Sequence, residues 1–294
     1  CPFTGLGLRG GFRGNEWYKH RIELFKNYTL KSLLNQVERN FVLWICLREQ
    51  EKENPLTWEF ENYLKSLKNF QFIITYGGIA FYDDKYSPDN LLERLQIILP
   101  QLKGVWKGER YVYETLQPSD DLYHFYEVKE IQEQKFAERR ALIHEKGLIL
   151  NQRTNRVAEW NPITNPPFYT ILYPAETFFD PKKHFDYMKD FKSHEDILKL
   201  FNCVRMPDYR YCVLVHRKNI STNWWHIFRG KVYPFETGQR VLKNNFGIEI
   251  EKEFFATDWI RYFRHITKRV ICWFLIKIGF YRWAKKVKSK IEEW

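Results

Sequence analysis

Cysteine is sparse and unpatterned in this chain: Cys1, Cys46, Cys203, Cys212 and Cys272 are odd in number, and no two of them form a C-x-x-C pair. That spacing excludes a zinc-chelating finger and a dithiol redox pair, and a reducing compartment is expected. Cys46 and Cys212 fall inside apolar runs, where cysteine serves as a small buried hydrophobe. No Pro/Gly/Ser-rich or repetitive tract marks a linker or a solenoid. The first residues hold neither a charged n-region nor a long apolar h-region, so no secretory signal is expected there. A cytoplasmic location is the expectation. A G-x-G-x-x-G fingerprint is missing, as is H-E-x-x-H, which leaves out the dinucleotide and zincin motifs.

Acidic residues are absent from one long stretch. Between Arg261 and Ile291 there are ten Lys/Arg and no Asp or Glu, against a formal net charge of +11 for all 294 residues. The remainder is close to neutral, so a basic groove tracking a nucleic-acid backbone is not expected across it. Within this tail, Val270 to Ala284 is aromatic and apolar but is interrupted by Lys277, Gly279 and Arg282. It falls short of the roughly 20 apolar residues that a spanning helix needs. Trp273, Phe274, Phe280, Tyr281 and Trp283 among many cations suit a helix lying on an anionic membrane surface. A helix packed on the body with solvated lysines is the alternative. The composition change divides the chain into residues 1–257 and a basic aromatic extension, 258–294.

What the chain has in quantity is apolar and aromatic side chains, 44% and 18%, enough for a sizeable core. Helix and strand patterns alternate in the first third. Residues 17–37 carry apolar positions at helical spacing, 40–47 read as a buried strand, 57–67 as a helix and 70–76 as a strand. Residues 91–99 then read as a helix and 110–116 as a strand. This alternation predicts an α/β fold with a mostly parallel central sheet. Further on, 130–144 reads as helical, 148–151 and 157–160 as a hairpin, 181–188 and 193–201 as helices and 211–216 as a strand. Residues 234–245 read as a helix closed by Gly247.

The strand at 110–116 ends at Pro118-Ser119-Asp120-Asp121. Ligands of open α/β sheets bind beyond the carboxyl ends of strands, so these carboxylates are candidate ligand contacts. An ordinary turn or helix cap accounts for them equally well. Likewise, Ser193-His194-Glu195-Asp196 reads locally as a helix start with acidic residues on the favourable end of its dipole. His216 closes an apolar strand, and Arg9, beside Gly10 and Gly11, follows a first strand at residues 2–8. Arg9, Arg21 and Arg48 are candidate phosphate contacts, because a guanidinium pairs well with phosphate.

Three stretches together resemble the family 2-like glycosyltransferases of GT-A fold, and within them the rhamnosyltransferases. They are R-I-E-L-F-K-N-Y-T-L-K-S-L-L-N-Q (21–36) with N-F-V-L-W-I (40–45), then Ser119-Asp120-Asp121, then residues 165–170 through Phe179-Asp180-Pro181 and His184 to Lys192-Ser193-His194-Glu195-Asp196. The resemblance implies a Rossmann-like nucleotide-binding domain and an inverting transfer from a nucleotide-diphosphate sugar to a glycan or lipid-linked acceptor. It implies Mg²⁺ or Mn²⁺ on the diphosphate, held by Asp120, Asp121 and His216, with Arg9 and Ser119 also at the donor. Asp196 is implied as the base, with Glu195 at the acceptor. Pro118 stands where the family's first acidic residue is usual. That departure keeps a second expectation open, a non-catalytic glycan-binding or scaffold protein on the same fold.

Overall fold

The computed structural model describes residues 1–4, 14–76, 88–162, 166–191, 194–216, 222, 224 and 230–250, and in the tail Ile271, Phe274 and Lys277. The chain divides into two compact units, Cys1–Ile250 and Glu251–Trp294. In the second unit the three described residues are helical and exposed. No helix among the described residues is long and apolar enough to cross a membrane.

The larger unit opens with helix α1 (Asn15–Leu24), which passes through a π-helical turn (Phe25–Thr29) into α2 (Leu30–Leu34). Its apolar face, with Trp17, Ile22, Phe25, Leu30 and Leu33, packs on Leu43, Ile45 and Leu47 of strand β1 (Leu43–Leu47). Helix α3 (Pro55–Lys65) completes that core through Phe60 and Leu64. Its start is specified locally: Pro55 occupies the first helical position, and the Asn54 side chain accepts the Leu56 N–H at 3.0 Å. Strand β2 (Phe72–Tyr76) then lies parallel to β1. This is the βαβ unit that the alternating pattern predicts.

Helix α4 (Pro88–Lys103) leads to β3 (Tyr111–Thr115), and from there the architecture changes. Strands β4 (Leu122–Tyr123), β5 (Arg140–His144), β6 (Gly147–Asn151), β7 (Arg156–Trp160) and β8 (Phe168–Pro174) follow with only helix α5 (Glu127–Gln132) among them. After β8 come α6 (Ala175–Phe178), α7 (Pro181–Met188), a 3-10 turn (His194–Asp196), α8 (Ile197–Leu200), β9 (Asn202–Arg205), β10 (Tyr211–Val215) and α9 (Phe235–Phe246). Two four-stranded sheets result, ordered β3-β8-β5-β9 and β4-β10-β6-β7. β5 with β9 and β10 with β6 are parallel, whereas β3 with β8, β5 with β8, β10 with β4 and β6 with β7 are antiparallel.

The sheets are therefore mixed, which corrects the expectation of a mostly parallel sheet. Parallel neighbours need a crossover of a dozen or more residues, and the short connections around β6 and β7 allow only antiparallel return. The helix expected over 130–144 is also corrected: its first residues belong to α5, but Arg140–His144 is a strand buried on both faces in the core. An apolar run of that length is compatible with either element, and tertiary burial decides.

Candidate functional site

The strand ends meet at the acidic turn. β3 runs into Leu116, whose N–H donates to Tyr169 O at 3.0 Å on β8, and the chain then turns through Gln117 to Asp121 before pairing as β4 with β10. Gln117 frames the turn from inside, donating to Pro118 O at 2.8 Å and Asp121 O at 3.0 Å. No helix follows the turn, so the cap alternative for Asp120 and Asp121 does not apply. Instead Asp121 Oδ1 accepts the backbone N–H of Leu214 at 2.9 Å, which pins the turn to β10.

Asp120 faces the other way, into a cluster made from three segments. Arg21 of α1 donates to Asp120 Oδ2 at 2.5 Å, and His216, one residue past β10, lies 3.0 Å from the same oxygen through Nε2. All three side chains are largely out of water, with 5%, 13% and 1% of the Arg21, Asp120 and His216 side chains exposed. The His20 ring meets His216 edge-on with centroids 5.6 Å apart, and Trp17 sits beneath the Arg21 guanidinium at 5.3 Å. Helix α1 thus supplies Trp17, His20 and Arg21 to the site, because positions 17, 20 and 21 share one helical face.

The two neighbouring aspartates are electrostatically unequal. Burial works to raise the Asp120 carboxyl, but the Arg21 guanidinium and then His216 outweigh it and hold it below the ordinary aspartate value. Asp121 is pushed well above that value by burial and by the negative charge of Asp120. Asp120 is the group that stays anionic here, and it can serve as an electrostatic contact or a metal ligand.

Asp120 Oδ2 is shared between the Arg21 guanidinium and His216 Nε2, so a divalent ion on this carboxylate would have to displace one of these two partners. Asp121 has one oxygen committed to the Leu214 N–H. Among the described residues no group of three His, Cys, Asp or Glu side chains gathers as a protein-only metal cage. Ser119 is buried within the turn.

Glu195 and Asp196 are not in that cluster. They occupy the 3-10 turn His194–Asp196, with Glu195 exposed and Asp196 half-buried. His194 anchors the turn: Nδ1 lies 3.2 Å from Pro166 O, and its ring meets Tyr169 edge-on at 5.5 Å. Burial lowers the His194 pKa, so the ring stays neutral and donates to that carbonyl. Tyr169 is also the residue that receives Leu116, so both acidic segments flank the same end of β8. Asp196 forms an ion pair with Lys199 at 3.3 Å, and no side-chain hydrogen bond from it caps α8.

Arg9, with Gly10 and Gly11, lies outside the described residues, as do Lys192, Ser193 and Arg217. Arg48 is bound to Glu51, which is buried beside Thr4, and so works within the first core. Gln117 and His20 were not legible as site residues, since neither belongs to a motif and both gain their places from strand and helix packing. The chain matches no protein-family model and no curated protein.

Proposed function

We propose that this chain is a glycosyltransferase of GT-A type that transfers a sugar, with inversion, from a nucleotide-diphosphate donor to a glycan or lipid-linked acceptor. The observation that carries the reading is the convergence of Arg21, Asp120 and His216 beyond the carboxyl ends of β3 and β10, where α/β folds place phosphate-bearing ligands. Arg21 and a pinned, anionic Asp120 are the groups a diphosphate site uses, one directly and one through a cation. Mg²⁺ or Mn²⁺ held by Asp120 and His216, with Asp121 orienting the turn, would offset charge on the leaving diphosphate. Arg9 and Ser119 complete the proposed donor contacts.

In the transfer, the acceptor hydroxyl oxygen bonds to the anomeric carbon as the bond from that carbon to the phosphate oxygen breaks, and its electron pair leaves with the nucleoside diphosphate. Asp196 accepts the hydroxyl proton, and the exposed Glu195 contacts the acceptor. A positioned carboxylate base contributes a factor of about 10² to 10⁴. Lys199 lies beside Asp196, 3.3 Å from its carboxylate. The basic extension, with Ile271 and Phe274 exposed on a helix, is proposed to lie on the anionic inner face of the cell membrane.

The competing reading is a non-catalytic glycan-binding protein on the same fold, which the existing neutralisation of Asp120 by Arg21 favours. A panel of nucleotide sugars with Mg²⁺ or Mn²⁺ separates the two by nucleotide release. The expected outcome is turnover with at least one donor and a loss of about 10² or more in Asp196→Asn. Turnover that is indifferent to Asp196 contradicts the mechanism, and no turnover with any donor favours the binding protein.

A further inference from the structure

A cavity of about 360 Å³ opens at the other end of the first strands, lined by the segments that lead into β1, β2 and β3. β3 separates it from the acidic turn: Tyr111 at its start faces the cavity, and Asp120 follows its end. Five residues of strand put about 17 Å between them. The cavity is a separate place on the molecule.

Its walls combine held aromatic rings with uncommitted polar atoms. Tyr111 is stacked on Phe136 with centroids 4.1 Å apart, Trp106 rests on Phe179 at 5.2 Å, and Phe41 meets Phe70 edge-on at 6.1 Å. Each of these cavity-lining rings is backed by a ring outside the cavity, so its orientation is set before any ligand arrives. The rim is fixed as well, since Gln132 donates to Asn40 O at 2.7 Å and Tyr113 donates to Gln134 O at 2.7 Å. By contrast, among the described residues no protein group bonds the Trp106 indole N–H, the Tyr111 hydroxyl, the Gln71 amide or the Glu109 carboxylate. The lining charges are Lys107 and Arg110 against Glu109, a small positive excess.

Rigid aromatic faces interleaved with amide, indole, hydroxyl and carboxylate groups match the two-sided chemistry of a pyranose ring. Such a ring presents C–H groups on one face and hydroxyls around its edge. The Glu109 carboxylate among these cations disfavours a polyanion as the occupant. We infer that this groove is a saccharide-binding site, separate from the acidic turn, that holds a unit of a neutral oligosaccharide. The inference stands on the groove itself and does not require the transferase reading.

Saturation-transfer NMR with neutral gluco-, galacto-, manno- and rhamno-oligosaccharides tests it on the full chain. At least one series is expected to bind wild type, with Trp106→Ala and the exposed Gln71→Ala each weakening it by about tenfold. Trp106→Phe keeps part of the ring and is expected to retain binding. Gln71→Ala removes no core contact, so its effect reads the groove even where Trp106→Ala is unstable. No binding of any series, binding of acidic saccharides only, or wild-type affinity in Gln71→Ala and Trp106→Ala overturns the inference. Binding that vanishes in Asp196→Asn but survives in both groove variants overturns it too, while leaving the transferase reading standing.

Discussion

His124 shows how a single side chain couples this fold to pH. It sits between β4 and α5, buried, with Arg210 Nη1 within 3.3 Å of its ring and the Tyr126 N–H donating to Nδ1 at 3.2 Å. Burial and then the Arg210 charge depress its pKa to about 4, against 6.5 for the free side chain. The unfolded chain therefore binds a proton that the folded chain refuses between those values. The stability that neutral His124 contributes is complete above about pH 6.5 and is lost as pH falls towards 4. In urea unfolding at pH 7.5 and 4.5, wild type is expected to lose more stability than His124→Gln, and an equal loss would remove His124 as a source of the pH dependence. The same comparison of burial against partner charge separates Asp120 from its neighbour Asp121. Nothing in the sequence distinguishes two adjacent aspartates; Arg21 and His216, each nearly a hundred residues away, do so.

At the level of elements, local signals and tertiary packing divided the work unevenly. Helices α3, α7 and α9 were legible from apolar spacing, from Pro181 and from Gly247 respectively, and the structure adds Asn54 before Pro55, Asp180 accepting Lys183 N–H at 2.9 Å and Gly247 at φ 70° after Phe246. Strands β1, β2, β3 and β10 were legible as apolar or alternating runs. Strands β4 and β9 were not, since two and four residues are too few to show a period. The acidic turn was visible as a candidate, but its partners were not, because Arg21, Gln117 and Leu214 meet it only through long-range packing. One element contact is especially tight. A Cβ at Gly147 of β6 would lie 2.3 Å from the ring of the fully buried Tyr211 on β10, which itself stacks on Phe168 at 4.2 Å. Gly147→Ala is expected to destabilise by about 3 kcal/mol, the upper part of the overpacking range. For a unit of this size, that lowers the melting temperature by roughly 6–12 °C. An unchanged melting temperature would show that Tyr211 has room to move.

Across the whole molecule, the positive charge and the acidic turn belong to different stretches of the chain. The body is nearly neutral, with its polar cluster enclosed at the strand ends, while the positive excess belongs to residues 261–291. If the extension binds an anionic surface, deleting residues 258–294 abolishes flotation with phosphatidylserine-containing vesicles, and raising the salt weakens flotation of wild type. Flotation that survives the deletion places membrane affinity elsewhere. The central claim, that Arg21, Asp120 and His216 form a donor-diphosphate site, is tested most directly by calorimetric titration of nucleoside diphosphates with and without Mn²⁺. At least one nucleoside diphosphate is expected to bind in Mn²⁺, with the binding lost in excess chelator and strongly weakened in His216→Gln. Binding of equal strength in chelator, or no binding by any nucleoside diphosphate, would contradict it.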